Sequence, residues 1–267
     1  FVDISERKQA EASLHLETIQ RERQAKLIAQ TAMSPHLATG AVREFAKELT
    51  KATAHALEID RVGVWLFNDD ESALISVDAY EASRDSHASG AVLAKHEFQS
   101  EFEALMHGPY VDAHDAQHDP RTIGYVEGYL KPNNITSMLD MAIRVEGRNL
   151  GTLCFEHVKT PRRWREDEIS LGRQLADQIA LTYLHQERRQ TVAKLAESET
   201  RHRTLFDQAR DAIVTIAPPL WRFTAGNPAA LEMFNVKSLD EFLALGPSDV
   251  SPELQPDGRP SVEMAQE

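Results

Sequence analysis

Cysteine is almost absent from this 267-residue chain. Cys154 stands alone, which excludes an intrachain disulfide and a cysteine metal cage and gives no sign of an oxidising compartment. Positive charge is also scarce. With 29 Lys and Arg against 42 Asp and Glu, the formal net charge is −13, so neither a nucleic-acid backbone nor an anionic membrane surface is the expected partner. No apolar run approaches the roughly 18 residues of a membrane span and no signal peptide stands out, so the expected location is cytoplasmic. A phosphate-cradling Gly-rich loop, a nucleophile elbow and a kinase ATP motif are all missing, which leaves catalysis by this chain without support. The chain opens in mid-motif at Phe1, as expected of a piece of a longer protein.

What is present centres on Ser137 to His157, SMLDMAIRVEGRNLGTLCFEH. Two apolar arms, Met138 to Val145 and Leu150 to Phe155, flank Glu146-Gly147, which predicts a hairpin at the middle of a sheet covered on both sides. Around it, the patterns predict a long polar helix from Ser5 to about Lys26, with Asp3 as N-cap and Ala12, Leu16 and Ile19 as a short apolar seam. An amphipathic helix follows over Val42 to Leu57, then strands over Arg61 to Asn68 and Ala73 to Tyr80 and a polar loop to about Gly90. Phe98, Phe102 and Leu105 suit a short helix, Pro109 to Val111 a short strand, and Tyr125 to Leu130 a second helix that ends before Pro132. A last long helix begins near Glu166. Its apolar face, Ile169, Leu175, Ile179 and Leu184, continues into a half-polar seam of Leu181, Leu184, Arg188, Thr191, Leu195, Ser198, His202 and Leu205.

The order of elements resembles the GAF domain, and specific stretches carry the likeness: Asp119-Pro120-Arg121, Gly128-Tyr129-Leu130, Ile135 to Asp140, Gly151 to His157, Arg163-Trp164 and Asp167-Glu168. They are similar to the bacterial sensor-kinase branch of that family. FVDISERKQAE at the start resembles the exit of a PAS domain, and Arg203 to Ile213 with Trp221 to Phe223 and Asn227 to Ala230 resembles the entry of another. Ala217-Pro218-Pro219 replaces the Asp- and Gly-rich turn usual there, and the expectation is a segment partly disordered or incompletely packed. The expected fold is therefore α+β: a GAF-like antiparallel sheet with helices on both faces, long flanking signalling helices and an incomplete PAS-like C-terminal segment. The expected domains are the end of a PAS domain (1–11), a linker helix (12–41), a GAF domain (42–186), a coiled-coil linker (187–203) and a partial PAS domain (204–267).

By that resemblance the chain is a sensory module that binds an unknown small molecule and relays the signal through its flanking helices to an output domain, a histidine kinase first, a diguanylate cyclase or phosphodiesterase next. A parallel homodimer through those helices is the expected assembly. His15, His36, His185 and His202 lack the sequence context of a histidine-kinase phosphoacceptor and read as surface residues. The candidate pocket comprises Trp65, Phe67, Tyr80, Asp112, His114, Tyr125, Tyr129, Met138 and Asp140, a few polar groups among aromatics. The same set describes a core filled by its own side chains, and a relay without ligand remains open. Asp112, His114, Asp115, His118 and Asp119 carry metal-ligand chemistry, but Asp119-Pro120 favours a solvated loop or a pocket lid, and no metal is assigned. Cys154 could anchor a tetrapyrrole or act in a sulfoxide reductase; inside an apolar strand it reads as a small hydrophobe, and no partner thiol is present.

Overall fold

The computed structural model describes residues 4–219, 221–247, 249–256 and 258–261. The proposed N-cap Asp3 and the strand before it lie outside them. The chain divides into units of residues 1–189 and 190–267.

In the first unit, helices α1 (Ile4–Ala32), α2 (Pro35–Thr39) and α3 (Val42–Leu57) precede an antiparallel sheet. Its strands are β1 (Arg61–Phe67), β2 (Ala73–Glu81), β3 (Ser86–Ala88), β4 (Val92–Ala94), β5 (Tyr110–Ala113), β6 (Ile135–Val145) and β7 (Arg148–Val158). The order is β3-β2-β1-β7-β6-β5, with β4 also paired to β2. The β6–β7 hairpin lies at the centre and turns at Glu146 (φ 50°) and Gly147 (φ 83°), both left-handed as a tight two-residue turn requires. β3 falls within the stretch read from sequence as loop, and β4 just beyond it, where no element was assigned. Each is three residues long, β3 exposed throughout and β4 half-buried, and a run of three is too short for alternation to reveal.

The strand period of two divides the sheet into two faces. Leu139, Met141, Ile143, Leu153 and Phe155 pack with Val62, Val64 and Tyr80 against Leu27 of α1, Phe45 and Leu49 of α3, and Leu175 and Ile179 of α5 (Glu166–Gln208). Gly172 lets α5 settle closely there, because a Cβ at that position would stand 2.9 Å from Met141 Cγ and 3.1 Å from Phe155 Cε2. On the opposite face, Phe98, Phe102 and Leu105 of and beside α4 (Gln99–His107), with Tyr125, Val126 and Leu130, cover Trp65, Ile135, Met138 and Cys154. The predicted helix at Tyr125 to Leu130 is a π-helical turn, Val126–Leu130.

Polar groups fasten the helices to one another. Arg162 donates to the carbonyls of Leu57 and Glu58 at the end of α3 and pairs with the buried Glu168 of α5. Gln24 of α1 donates to Asp167 of α5 at 2.8 Å. The His185 ring and Arg189 bond the carbonyls of Leu37 and Thr39. Between these carbonyls and α3 lies Gly40, at φ 69°, where a Cβ would fall 2.4 Å from the Gln186 nitrogen. α5 is continuous through the seam residues, of which Leu181, Leu184, Leu195 and Leu205 are exposed.

In the second unit, β8 (Val214–Ala217) pairs with β9 (Arg222–Gly226), followed by α6 (Pro228–Met233) and α7 (Leu239–Leu243). Expected to be incompletely packed, this segment has a small aromatic core: Phe223 stacks on Phe242 at 4.5 Å, and Phe234 closes the cluster. Buried Asn227 organises its entry. The side-chain amide donates to the carbonyls of Phe206, Ala209 and Asp211, and its oxygen accepts from the amides of Ile213 and Ala230.

Candidate functional site

Register decides which side chains meet on the cavity face. Arg61 opposes Glu156, Gly63 opposes Cys154 and Trp65 opposes Thr152 across β1 and β7, while Asp140 opposes Cys154 and Met138 opposes Glu156 across β6 and β7. The pairing of β1 with β2 slips between Val64 and Trp65, a bulge of the kind that redirects a side chain. The resulting floor of Trp65, Met138, Asp140, Thr152, Cys154 and Glu156 is roofed by Tyr125 and Tyr129, with Leu74 and Leu93 at one side. The cavity between them is about 10 Å³, room for the centre of about one water molecule. Side chains fill the rest.

Of the predicted pocket residues, Trp65, Tyr125, Tyr129, Met138 and Asp140 come together here. Phe67 packs against the same core but leans on Phe102, with ring centroids 5.6 Å apart and planes tilted by 59°, beside the cavity. Tyr80 lies on the other face of the sheet. Its register partner is Val62, and its hydroxyl meets His55 Nε2 at 3.1 Å and donates to Asp85 at 2.9 Å. Asp112 is held by Arg121 at 2.9 Å, and Arg121 also engages Asp119 through two nitrogens. His114 accepts the Trp164 amide on Nδ1 and so braces β5 against the segment before α5. His118 bonds Asp115 at the surface. Among the described residues there is no group of three His, Cys, Asp or Glu able to hold a metal.

Glu156, Arg61 and Thr152 were missed from sequence. The period of two could have found Thr152 and Glu156, which share a strand face with Cys154. Glu156 is the chemical centre of the site. Its carboxylate pairs with Arg61 Nε at 3.1 Å and accepts the Tyr129 hydroxyl at 2.7 Å. Burial raises the Glu156 carboxyl above its usual range, against the opposing effects of Arg61 and Tyr129. Burial also pushes the Tyr129 hydroxyl and the Cys154 thiol upward, with Asp140 and Glu156 adding to the effect on the thiol. Cys154 is thus held as a thiol, the unreactive form, whose lowest-cost role is packing. Arg61 closes a ring of bonds: its Nη1 donates to Asn133 Oδ1 at 2.7 Å, and Asn133 Nδ2 donates to the Tyr129 carbonyl at 2.8 Å.

A central antiparallel hairpin, helices packed on one face and a roofed cavity on the other define an α+β class. The GAF domain model matches residues 41–183, more than half of the sequence, and the chain belongs to that family. A PAS domain model matches residues 200–266. The chain is therefore a sensory or regulatory module. Among solved structures, the GAF domain of a phosphoenolpyruvate-protein phosphotransferase from Coxiella burnetii is 14% identical, with a TM-score of 0.51 over 65% of this chain and 98% of that one. The corresponding Acinetobacter domain is 15% identical, at 0.51 over 63% and 95%. A free methionine-R-sulfoxide reductase from Neisseria meningitidis is 12% identical, at 0.50 over 63% and 90%. At these identities the likeness is one of fold. No curated protein matches. Among the described residues no helix is long and apolar enough to cross a membrane.

Proposed function

We propose that this chain is the sensory part of a bacterial, cytoplasmic signal-transduction protein, in which the cavity face receives a small-molecule signal and the flanking helices relay it. The observation that carries the reading is the continuity of structure from cavity to helices. β7 contributes Thr152, Cys154 and Glu156 to the cavity and Leu153 and Phe155 to the surface on which α1, α3 and α5 pack. A ligand that binds two arrangements of this assembly unequally shifts their populations and so biases whatever follows α5. A histidine kinase is the proposed output, with a diguanylate cyclase or phosphodiesterase as the other choice. The exposed apolar positions Leu181, Leu184, Leu195 and Leu205 support a parallel homodimer along α5.

The test places single cysteines at Leu184 and at Leu195 in a Cys154→Ala background and measures disulfide formation between chains. Same-position cross-linking at both sites supports the relay dimer; a monomer that cross-links at neither contradicts it. A second reading, a relay without ligand, draws on the filled cavity. It predicts that no metabolite changes the melting temperature.

A further inference from the structure

The polar ring of Arg61, Glu156, Tyr129 and Asn133 is asymmetric. Glu156 faces the cavity, whereas Arg61 lines a separate surface cleft with Asp60, Glu81, Arg84, Asn133 and Lys159. Inside the cavity the polar side chains are therefore two carboxyl groups, Asp140 and Glu156, the Tyr and Thr hydroxyls, the Trp65 indole and the Cys154 thiol; among the described lining residues none is basic. Three aromatic rings complete the wall. Trp65 meets Tyr129 edge-on at 6.3 Å and 83°, and Tyr125 meets Tyr129 at 6.0 Å and 57°, so their faces are angled as in cages that hold organic cations. An anion entering this space would stand against two carboxyl groups in a medium of low dielectric, where like charges repel strongly. A cation meets carboxylate oxygens and ring faces.

We propose that the cavity takes a small organic cation of the alkyl- or aryl-ammonium class, which replaces Arg61 and the Tyr129 hydroxyl at Glu156. This deepens the sensory reading above and rests on it. Entry requires the roof to lift, because the cavity as it stands has room for about one water. The ring of bonds supplies the link between charge and opening. Tyr129 is held to the floor by Glu156, and its carbonyl is held by Asn133, which Arg61 fixes in turn. A cation seated at Glu156 breaks the ring at two adjacent bonds and releases the Tyr129–Asn133 stretch, which includes the end of the π-helical turn. π-helical turns recur at functional sites. Arg61 starts β1 and is joined to the end of α3 by only Glu58, Ile59 and Asp60, whose carboxylate accepts the Val158 amide and pairs with His157, so a short link couples its displacement to α3.

The experiment uses the whole chain with three matched probes, phenethylammonium, 2-phenylethanol and phenylacetate, and with tetramethylammonium beside tert-butanol. Melting temperature and calorimetric titration are the readouts. The expected result is that the ammonium ions raise the melting temperature with concentration while the alcohols and the carboxylate do not. Glu156→Gln weakens ammonium binding by about tenfold or more, and Arg61→Met, which removes the internal competitor, tightens it. The opposite signs of these isosteric or near-isosteric changes separate a binding role from a loss of fold. Equal binding of the alcohol or the carboxylate overturns the cation assignment and leaves the sensory pocket standing. Absence of binding by every probe overturns the proposal and favours the relay without ligand, while the cross-linking of Leu184 and Leu195 reports on the relay itself.

Discussion

The two faces of the sheet are built from the same strands and differ in kind. Toward the helices, Leu153, Phe155, Leu139 and Met141 bury apolar surface against α1, α3 and α5. Toward the cavity, alternate residues of those strands present Cys154, Glu156, Asp140 and Met138 beneath a roof of tyrosines. One face gains its stability from close packing, which has a single good arrangement. The other holds a buried ion pair and a ring of hydrogen bonds, whose groups keep their stability only while each is paired and can take a ligand as the partner. A strand shared by both faces can pass a change from the adjustable side to the rigid one.

The largest expected effect comes from opening a hole on the helix face. Phe155 is fully buried, and Phe155→Ala is expected to cost about 3–5 kcal/mol in denaturant unfolding. Across the sheet, Glu156→Ala leaves Arg61 without its buried partner and is expected to cost about 3 kcal/mol. There the contrast sharpens. The double change Arg61→Met, Glu156→Leu is expected to recover most of that loss, within about 1 kcal/mol of the parent, whereas no polar change rescues Phe155→Ala. Gly172→Ala drives a methyl toward Met141 and the Phe155 ring and is expected to cost about 1–3 kcal/mol. Its signature is weaker protection from exchange in α5 with the cavity roof unaltered.

The smallest effects are those of pH, and they have opposite signs at two carboxyls. Arg165 first, then Gln24, lower the Asp167 carboxyl from 3.8 to about 2 against partial burial. Its contribution is present above the unfolded value and is lost as pH falls through about 2. Because Asp167 is substantially exposed, solvent screens the interaction and the effect is modest. Asp167→Asn should remove that acid sensitivity and loosen α1 from α5. Glu156 is raised by burial, so the folded state holds its proton more tightly. Its contribution is present below the unfolded value and is lost as pH rises through the folded one. Titrating the stability of Glu156→Gln against the parent should show that loss disappear.

The hairpin and the helix-face core were legible because they combine a strong turn signal at Glu146-Gly147 with long apolar periods. Reading both arms as apolar concealed Glu156, which directly follows the apolar run Leu153 to Phe155 of β7, and Arg61, which looks like a strand-initiating surface residue until the register sets it opposite Glu156. Tyr80 was misplaced for the same reason. An aromatic in a strand does not reveal its face until a neighbour in register does, and here that neighbour is Val62. Asp112 and His114 are adjacent in sequence to pocket-like residues, yet each is engaged elsewhere, by Arg121 and by the Trp164 amide. β3 and β4 were invisible because three residues are too few to show a strand period.

Native-state hydrogen exchange tests most directly whether the two faces differ in this way. The account predicts that amides from Thr122 to Asn134 open in a local event of low free energy, eased further by Glu156→Gln, while β1, β7 and residues 166–180 of α5 exchange only on global unfolding. Exchange of the roof and the helix face as one cooperative unit, unmoved by Glu156→Gln, would contradict it.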